Sequence, residues 1–442
     1  MSWNSFFYGD LLYYPVARIQ AGDVKGLQRV LERTQNATRS DLETLQEERL
    51  QGLLAHARNH VPFFAEKGLS AATVGDLGDL PFLLKTDLQE RNQDLRSTAE
   101  LGRLAFKTTG GSTGQPVTLS KTRPALAREL AATWRGYSWA GVHVGDRQAR
   151  FWGVPHAAGA RQRARLIDLV CNRIRLSAFD FTDQDLNSYL DLLNRKKPSY
   201  FYGYVSMLTE FARFLRGKGL GLGFPLKAII STSEVLGEAD RALLSDTFQA
   251  PVFNEYGSGE LGTVAHECEA GSLHLSEENM IVEVCNGESP CPAGEVGELV
   301  ITELNNLAFP LIRYRTGDFG SVAASPCSCG RSLRVLDSVQ GRAYDFLRNR
   351  QGQSFHGEFI MYIFEDLRRQ GEAIRQFQVQ QKDLDLFEVS IVPDAGYRPE
   401  CENLIRGKIQ ERVDVEARVV FRYVEVIPRE KSGKLRLIKG ME

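Results

Sequence analysis

Residues 106–119 read FKTTGGSTGQPVTL, and the reading of this stretch decides the fold. An extended entry from Leu104 to Lys107 runs into hydroxyl- and glycine-rich residues, halts at Pro116 and resumes an extended apolar pattern. Glycine lets the backbone approach a ligand closely, and unpaired N–H groups with Thr and Ser hydroxyls can point at phosphate oxygens. The residues alone leave two readings open: a phosphate-binding loop, or a polar hairpin between two strands. A Walker loop is excluded, because no Lys-Ser or Lys-Thr pair follows the last glycine. What separates the two readings is whether the rest of the chain supplies the other parts of a nucleotide site.

At 442 residues the chain can hold two or three domains with buried cores. A hydrophobic content of 43% with 25% charged residues is that of a soluble globular protein. The net charge of −2 and pI near 6.4 argue against nucleic acid or an anionic membrane as partner. No apolar run approaches the roughly 20 residues that span a bilayer. The start, MSWNSFFYGDLLYYP, has no basic n-region and no small-residue cleavage site, so a cytoplasmic protein is expected. Seven cysteines, an odd count, do not form a disulfide framework in a long chain of a reducing compartment.

The first hundred residues read as helical, with Leu27, Val30, Leu31 and then Leu42, Leu45, Leu50, Leu53 and Leu54 at three and four spacings. Beyond the glycine loop, strand-like 150–154, 228–230, 252–256 and 281–284 alternate with helical 123–140, 183–195 and 205–217. This alternation predicts an α/β fold with substantial sheet. Segment 296–303, VGELVITE, alternates with period two and is expected to be a strand of a β-rich part. From Gly341 the texture changes to strands at 375–381, 386–392 and 415–424 around a helix at 400–412. The expected division is a large domain over 1–340 and a small α+β domain over 341–442.

Three further segments carry chemistry. In 253–262, FNEYGSGELG, Tyr256 leaves a strand where a ring can stack on a base, and Glu260 sits in a glycine-flanked loop suited to holding Mg²⁺ beside phosphates. The competing reading is a polar turn with a buried tyrosine. In 309–320, FPLIRYRTGDFG, Arg313 and Arg315 share one face of an extended segment. Asp318 follows a Thr-Gly turn, where a carboxylate can accept from both ribose hydroxyls at roughly 1.5–3 kcal/mol each. The competing reading is a surface Arg–Asp pair of little consequence. Segment 427–436, IPREKSGKLR, is either a solvated basic turn or a loop that delivers Lys434 to an anionic centre.

Taken together, these residues resemble the adenylate-forming superfamily of acyl-CoA synthetases, peptide-synthetase adenylation domains and luciferases. Within it they are most similar to the phenylacetate–CoA ligase and capsule-biosynthesis ligase branch. Thr109-Gly-Gly-Ser-Thr-Gly-Gln-Pro116 matches the phosphate loop and Ser231-Thr-Ser-Glu-Val-Leu236 the adenine-side segment. Tyr256-Gly-Ser-Gly-Glu260 matches the aromatic-plus-acid motif and Tyr314-Arg-Thr-Gly-Asp318 the ribose motif. Gly341-Arg342 matches the hinge and Pro428-Arg-Glu-Lys-Ser-Gly-Lys434 the catalytic-lysine loop. Each is weak alone, but six in this order across nearly the whole chain are specific.

The resemblance implies ATP and Mg²⁺ as cofactors and a two-domain architecture: an α/β large domain with a β-rich part and a mobile α+β C-terminal domain. Thr109, Gly110, Gly111, Ser112, Thr113 and Gly114 would hold the β- and γ-phosphates. Glu234, Tyr256, Gly257 and Ser258 would lie at the adenine, Asp318 and Arg315 at the ribose, and Glu260 at Mg²⁺. Lys434 and Arg342 would act in catalysis. Two positions depart from the pattern. Gly110 stands where relatives often carry Ser or Thr, and Tyr344 replaces the first of two acids after the hinge Gly-Arg-x.

Cysteine and histidine positions add a candidate metal site. Cys268, Cys327 and Cys329 with His274 form a four-ligand set suited to structural zinc, with His266 as the alternative to His274. The strands between 281 and 303 are expected to bring the two halves together. The Pro-Cys-x-Cys-Gly turn at Cys327 resembles a zinc knuckle, and the branch implies His274. The competing reading is free thiols.

The implied partners are a small carboxylic acid and a thiol or amine acceptor, coenzyme A first among them, with no nucleic acid and no membrane span. An amide- or ester-forming ligase and a nucleotide-binding homologue of weakened catalysis are the alternatives. Phe201, Tyr202 and Tyr204 with Trp152 either line an aryl-sized pocket or belong to the core. A homodimer is the base-rate expectation.

Overall fold

The computed structural model describes residues 5–69, 73–108, 117–152, 158–177, 182–342, 346–351, 354–356, 360, 363–364, 367, 370–428 and 436–441. The N-terminal hundred residues are helical as expected, with α1 (Tyr14–Gln20), α2 (Val24–Thr34), α3 (Arg39–His60), α4 (Pro62–Lys67) and α5 (Lys85–Glu90). The long α3 starts on a reciprocal capping box between Thr38 and Asp41, which satisfies orphan amide donors at the helix start. Its stripe Leu42, Leu50, Leu53, Leu54 and Ala57 is buried. Most of this stripe packs on Leu299, Ile301 and Val264 in the sheet core.

The glycine-rich stretch is framed by a two-stranded antiparallel hairpin, β1 (Leu104–Thr108) and β2 (Thr118–Thr122), that joins no other strand. It leads into α6 (Arg123–Trp139). Next come β3 (Gln148–Trp152), α7 (Ala158–Val170), β4 (Arg173–Ser177), α8 (Asp183–Lys196), β5 (Tyr200–Tyr204), α9 (Val205–Gly217), β6 (Ala228–Thr232), α10 (Glu238–Phe248) and β7 (Val252–Ser258). The helices expected at 123–140, 183–195 and 205–217 are therefore in place. Strands β3 to β7 are parallel. One face is covered by α8, α9 and α10 through Phe201, Phe211 and Phe248. The other meets Tyr137 of α6 through Tyr200 and Tyr202.

After β7 the chain turns antiparallel through β8 (Gly262–Glu267), β9 (Leu273–Leu275), β10 (Met280–Asn286), β11 (Ser289–Pro290), β12 (Gly297–Glu303), β13 (Tyr314–Val322) and β14 (Val335–Arg342). The β-rich part continues the parallel half, giving one sheet of 12 strands in the order β11-β10-β12-β13-β14-β9-β8-β7-β6-β5-β3-β4. The strand expected at 296–303 is present as β12, and every residue of it is buried. Its two acids, on opposite faces of the strand, are buried with cationic partners: Glu298 meets Arg315 and Glu303 meets Lys121.

Lys121 is the largest charge buried in this region, with no exposed side-chain surface. Its Nζ lies 2.9 Å from Glu129, 2.8 Å from Glu303 and 3.2 Å from the Leu261 carbonyl. Burial opposes its charge, but the two carboxylates outweigh burial and raise its pKa. Lys107 reaches the other oxygen of Glu129 at 2.6 Å. The hairpin is thereby tied to α6, to β12 and to the loop that follows β7.

The C-terminal unit has its own four-stranded sheet of Ile374–Asp383, Leu386–Pro393, Arg418–Tyr423 and Ile438–Lys439, backed by the helix Cys401–Arg412. Phe377, Val379, Phe387, Val389, Ile405 and Ile409 form its core. It touches the large unit where Arg375 pairs with Glu210 of α9 and Gln376 donates to the same carboxylate at 3.3 Å. No helix among the described residues is long and apolar enough to cross a membrane.

Candidate functional site

The candidate nucleotide residues lie at the carboxyl ends of β6 and β7 and on β13, the side of an open α/β sheet where ligands bind. Tyr256 on β7 and Asp318 on β13 are 62 residues apart, and the Tyr256 hydroxyl donates to Asp318 Oδ2 at 2.8 Å. The aromatic motif and the ribose motif therefore meet directly. Gly257 is required next to the ring, since a Cβ there would lie 2.4 Å from the Gly262 carbonyl. Gly317, at φ +72°, makes the turn that presents Asp318. In the β13–β14 ladder Asp318 stands opposite Arg342, so Gly341 and Arg342, the residues expected at the hinge, end strand β14.

Arg315 is held by Glu298 at 2.6 Å and lies over the Phe82 ring at 4.8 Å. Arg313 lies over the same ring at 4.2 Å. It is buried, carries a positive φ of 48° and pairs with Glu283 at 3.0 Å, so it serves the core of the sheet. Ser258 accepts from the Leu261 amide at 3.2 Å, closing the turn that holds Glu260. Glu260 is buried with Lys85 Nζ 3.6 Å from it. Lys85 went unnoticed in the sequence because α5 lies far away along the chain; a lone lysine in a short capped helix carries no signal there. Glu234 accepts from the amide and hydroxyl of Ser206 at 2.7 and 2.9 Å, at the start of α9.

Thr109, Gly110, Gly111, Ser112, Thr113, Gly114, Tyr344 and Lys434 lie outside the described residues. The root of the phosphate-loop candidate is described: Thr108 and Thr118 are cross-strand partners with their hydroxyls 3.0 Å apart. The bond from Lys121 to the Leu261 carbonyl sets this root against the turn that carries Glu260.

The second candidate site is assembled as well. The ligand atoms of Cys268, His274, Cys327 and Cys329 all lie within 4.8 Å of one another. Cys268 Sγ and Cys327 Sγ are 3.7 Å apart and Cys329 Sγ is 3.2 Å from His274 Nε2. Two thiolates at about 2.3 Å from a tetrahedral zinc would stand about 3.8 Å apart, so the spacing fits. His274 Nδ1 lies 2.9 Å from the Leu333 carbonyl. A carbonyl only accepts, so Nδ1 carries the proton and Nε2 turns its lone pair to the thiols, as in a ligating histidine. Burial pushes the Cys327 thiol up, but hydrogen bonds led by Ser272 and the Cys329 amide outweigh it and bring it down to about 6.

Two expectations need correction here. His266 does not join the cluster: it is the cross-strand partner of His274, but its ring lies further along, edge-on to Tyr137 with ring centroids 5.5 Å apart and 3.8 Å from Glu255. The cluster is also not closed by the strands between 281 and 303. It is closed by β9 pairing with β14, His274 opposite Val335. Long-range pairing of a three-residue strand is invisible in the sequence. The aromatic run on β5 divides by strand alternation: Phe201 belongs to the core beneath α9, while Tyr202 and Trp152 stack on the opposite face at 5.7 Å.

Comparison with known proteins agrees with the resemblance. A family model described as the CapK C-terminal domain matches residues 347–440. The chain is 23% identical over 413 residues to protein CapK of Staphylococcus aureus, covering 90% of this chain and 89% of that one. It is 25% identical over 433 residues to a phenylacetate–coenzyme A ligase of Thermus thermophilus, covering 90% and 96%. Among solved structures it resembles 2-hydroxyisobutyryl-CoA ligase in the postadenylation state, with a TM-score of 0.74 at 19% identity over 92% of this chain and 91% of that one. The fold is that of an adenylate-forming ligase over nearly the full length.

Proposed function

We propose that the chain is an ATP-dependent, AMP-forming ligase that activates a carboxylic acid as its acyl-adenylate and transfers the acyl group to the thiol of coenzyme A. The observation that carries this reading is the bond between Tyr256 and Asp318, which joins two motifs whose only common use is a nucleotide. A substrate carboxylate oxygen attacks the α-phosphorus, the bond to the bridging oxygen breaks, and pyrophosphate leaves. The thiol then attacks the acyl carbon and AMP departs.

Asp318 takes the ribose hydroxyls, Tyr256 and the Glu234 segment flank the adenine, and residues 109–114 hold the outer phosphates. Glu260 would hold Mg²⁺, which supplies charge neutralisation to those phosphates; Lys85 gives the buried carboxylate a cation at 3.6 Å that can move aside. Lys434 supplies a fixed positive charge where the carboxylate meets the α-phosphorus. The large domain over 1–340 performs adenylation and the domain from 341 carries Lys434 and turns about Gly341-Arg342 for the second step.

The relatives support the acid-activating half most directly, since one is named a phenylacetate–coenzyme A ligase. A second reading of the acceptor is an amine or hydroxyl instead of a thiol; one similar solved structure is that of an amide bond synthetase of Marinactinospora thermotolerans. We also read Cys268, His274, Cys327 and Cys329 as a structural zinc site, on the fit of their spacing. A cluster of thiols kept for metal suits the cytoplasm, where cysteines stay reduced.

Pyrophosphate–ATP exchange with a panel of carboxylic acids tests the first half-reaction. Exchange is expected, and Lys434→Ala should lower its rate by about 10²–10³. Full exchange in that variant would remove Lys434 from the mechanism.

A further inference from the structure

On the face of β3, β5, β6 and β7 that meets α6, a row of polar side chains lies one residue from Tyr256. Arg150, Tyr202, Thr232 and Glu255 share this face by register, Arg150 opposite Tyr202 and Thr232 opposite Glu255. The row continues to His266, opposite Glu255 on β8. Glu255 Oε1 accepts from Tyr202 Oη at 3.1 Å and Thr232 Oγ1 at 3.2 Å. Its Oε2 is buried with no partner, and so is His266 Nε2.

These two atoms face each other at 3.8 Å, too far for a hydrogen bond. A pair present only for packing would close that gap, because each unsatisfied buried polar group costs about 1–3 kcal/mol. Flat rings wall the place: Trp152 stacks on Tyr202 at 5.7 Å and Tyr137 lies 6.0 Å from Tyr202. Arg150 lies over both Trp152 and Tyr202, at 4.5 and 5.1 Å, with its Nε unpartnered.

We propose, resting on the acid-activating reading above, that Glu255 and His266 are specificity residues for the acid and that this acid is an aryl carboxylic acid with a ring hydroxyl. An oxygen can stand about 2.8 Å from both Oε2 and Nε2, and a hydroxyl both donates and accepts, so it satisfies the pair whichever member holds the proton. A neutral group suits the site better than an amine. Burial raises the Glu255 carboxyl, against hydrogen bonds led by that of Tyr202. Trp152, Tyr202 and Tyr137 are the rings on which an aryl body would stack, and because Glu255 precedes Tyr256 on β7 its acid group would lie toward Tyr256 and Asp318.

The test is pyrophosphate exchange with phenylacetate and benzoate, their ring-hydroxylated counterparts, and aliphatic acids, on wild type, Glu255→Gln and His266→Phe. Wild type is expected to favour a hydroxylated acid over its plain counterpart by about 10²-fold or more in kcat/KM. Either substitution is expected to bring that ratio towards one. A wild-type ratio near one, or variants that lower both series equally, would overturn the proposal without any need for a folded variant. Exchange confined to aliphatic acids would overturn it and leave the ligase reading standing, whereas no exchange with any acid would remove both. Thermal shifts of the wild type by each acid give the same comparison without turnover: a larger shift by the hydroxylated acid is expected, and equal shifts would count against it.

Discussion

Lys121→Met should cost the large domain about 3–5 kcal/mol, the scale for removing one partner of a buried ion pair. For a domain of this size that is a fall in melting temperature of roughly 5–10 °C. The reason is arithmetic of charge. Glu303 is buried and its salt-bridge partner is Lys121 at 2.8 Å, whereas Glu129 keeps Lys107 at 2.6 Å. Removing Lys121 leaves a carboxylate in the core with its cation gone. A second change, Glu303→Gln, removes that charge, so the double variant should be more stable than Lys121→Met alone; a double variant no better than the single would mean that packing of the lysine stem, not charge, carries the effect. Because Lys121 also ties β2 to the Leu261 carbonyl, Lys121→Met should raise KM for ATP in pyrophosphate exchange. An unchanged KM would uncouple the hairpin root from the phosphate site.

Metal analysis of protein purified without chelator should find about one zinc per chain. Cys327→Ser should lose it and lower the melting temperature by roughly 5–10 °C, corresponding to about 3–5 kcal/mol, the scale of a lost cross-link. Zinc-finger peptides gain more, about 10–16 kcal/mol, but there the metal alone folds the chain. Here β9 and β14 are already paired in the sheet, which leaves less for the metal to supply. Thiolates must form for zinc to bind, so occupancy should fall as pH drops. Protein free of zinc, or a Cys327→Ser variant that melts with the wild type, would return the four residues to ordinary thiols.

Local elements were legible because local forces make them. The spans of α6, α8 and α9 follow from helical periodicity and from caps such as Thr122 and Thr182. The nucleotide motifs were legible through their order along the chain. What stayed hidden was set by pairing at long range. Lys121, Glu129 and Glu303 are three unremarkable charges until β2, α6 and β12 are packed together. The burial of both faces of β12 depends on cations supplied from elsewhere, Arg315 for Glu298 and Lys121 for Glu303. His266 and His274 differ by strand position, one facing Tyr137 and the other the thiols, and nothing in the spacing of the two residues tells them apart.

Strand β14 begins opposite His274 and ends with Arg342 opposite Asp318. One strand of eight residues thus has the thiol cluster at its root and, at its tip, Asp318 together with the residues we propose as the hinge. It behaves as a fixed axle whose far bearing is the cluster. Looseness at that bearing, by oxidation of a thiol or loss of metal, would be felt as play at the proposed pivot. On the proposed mechanism, the alignment of the C-terminal unit with the adenylate is therefore set partly at the thiol cluster.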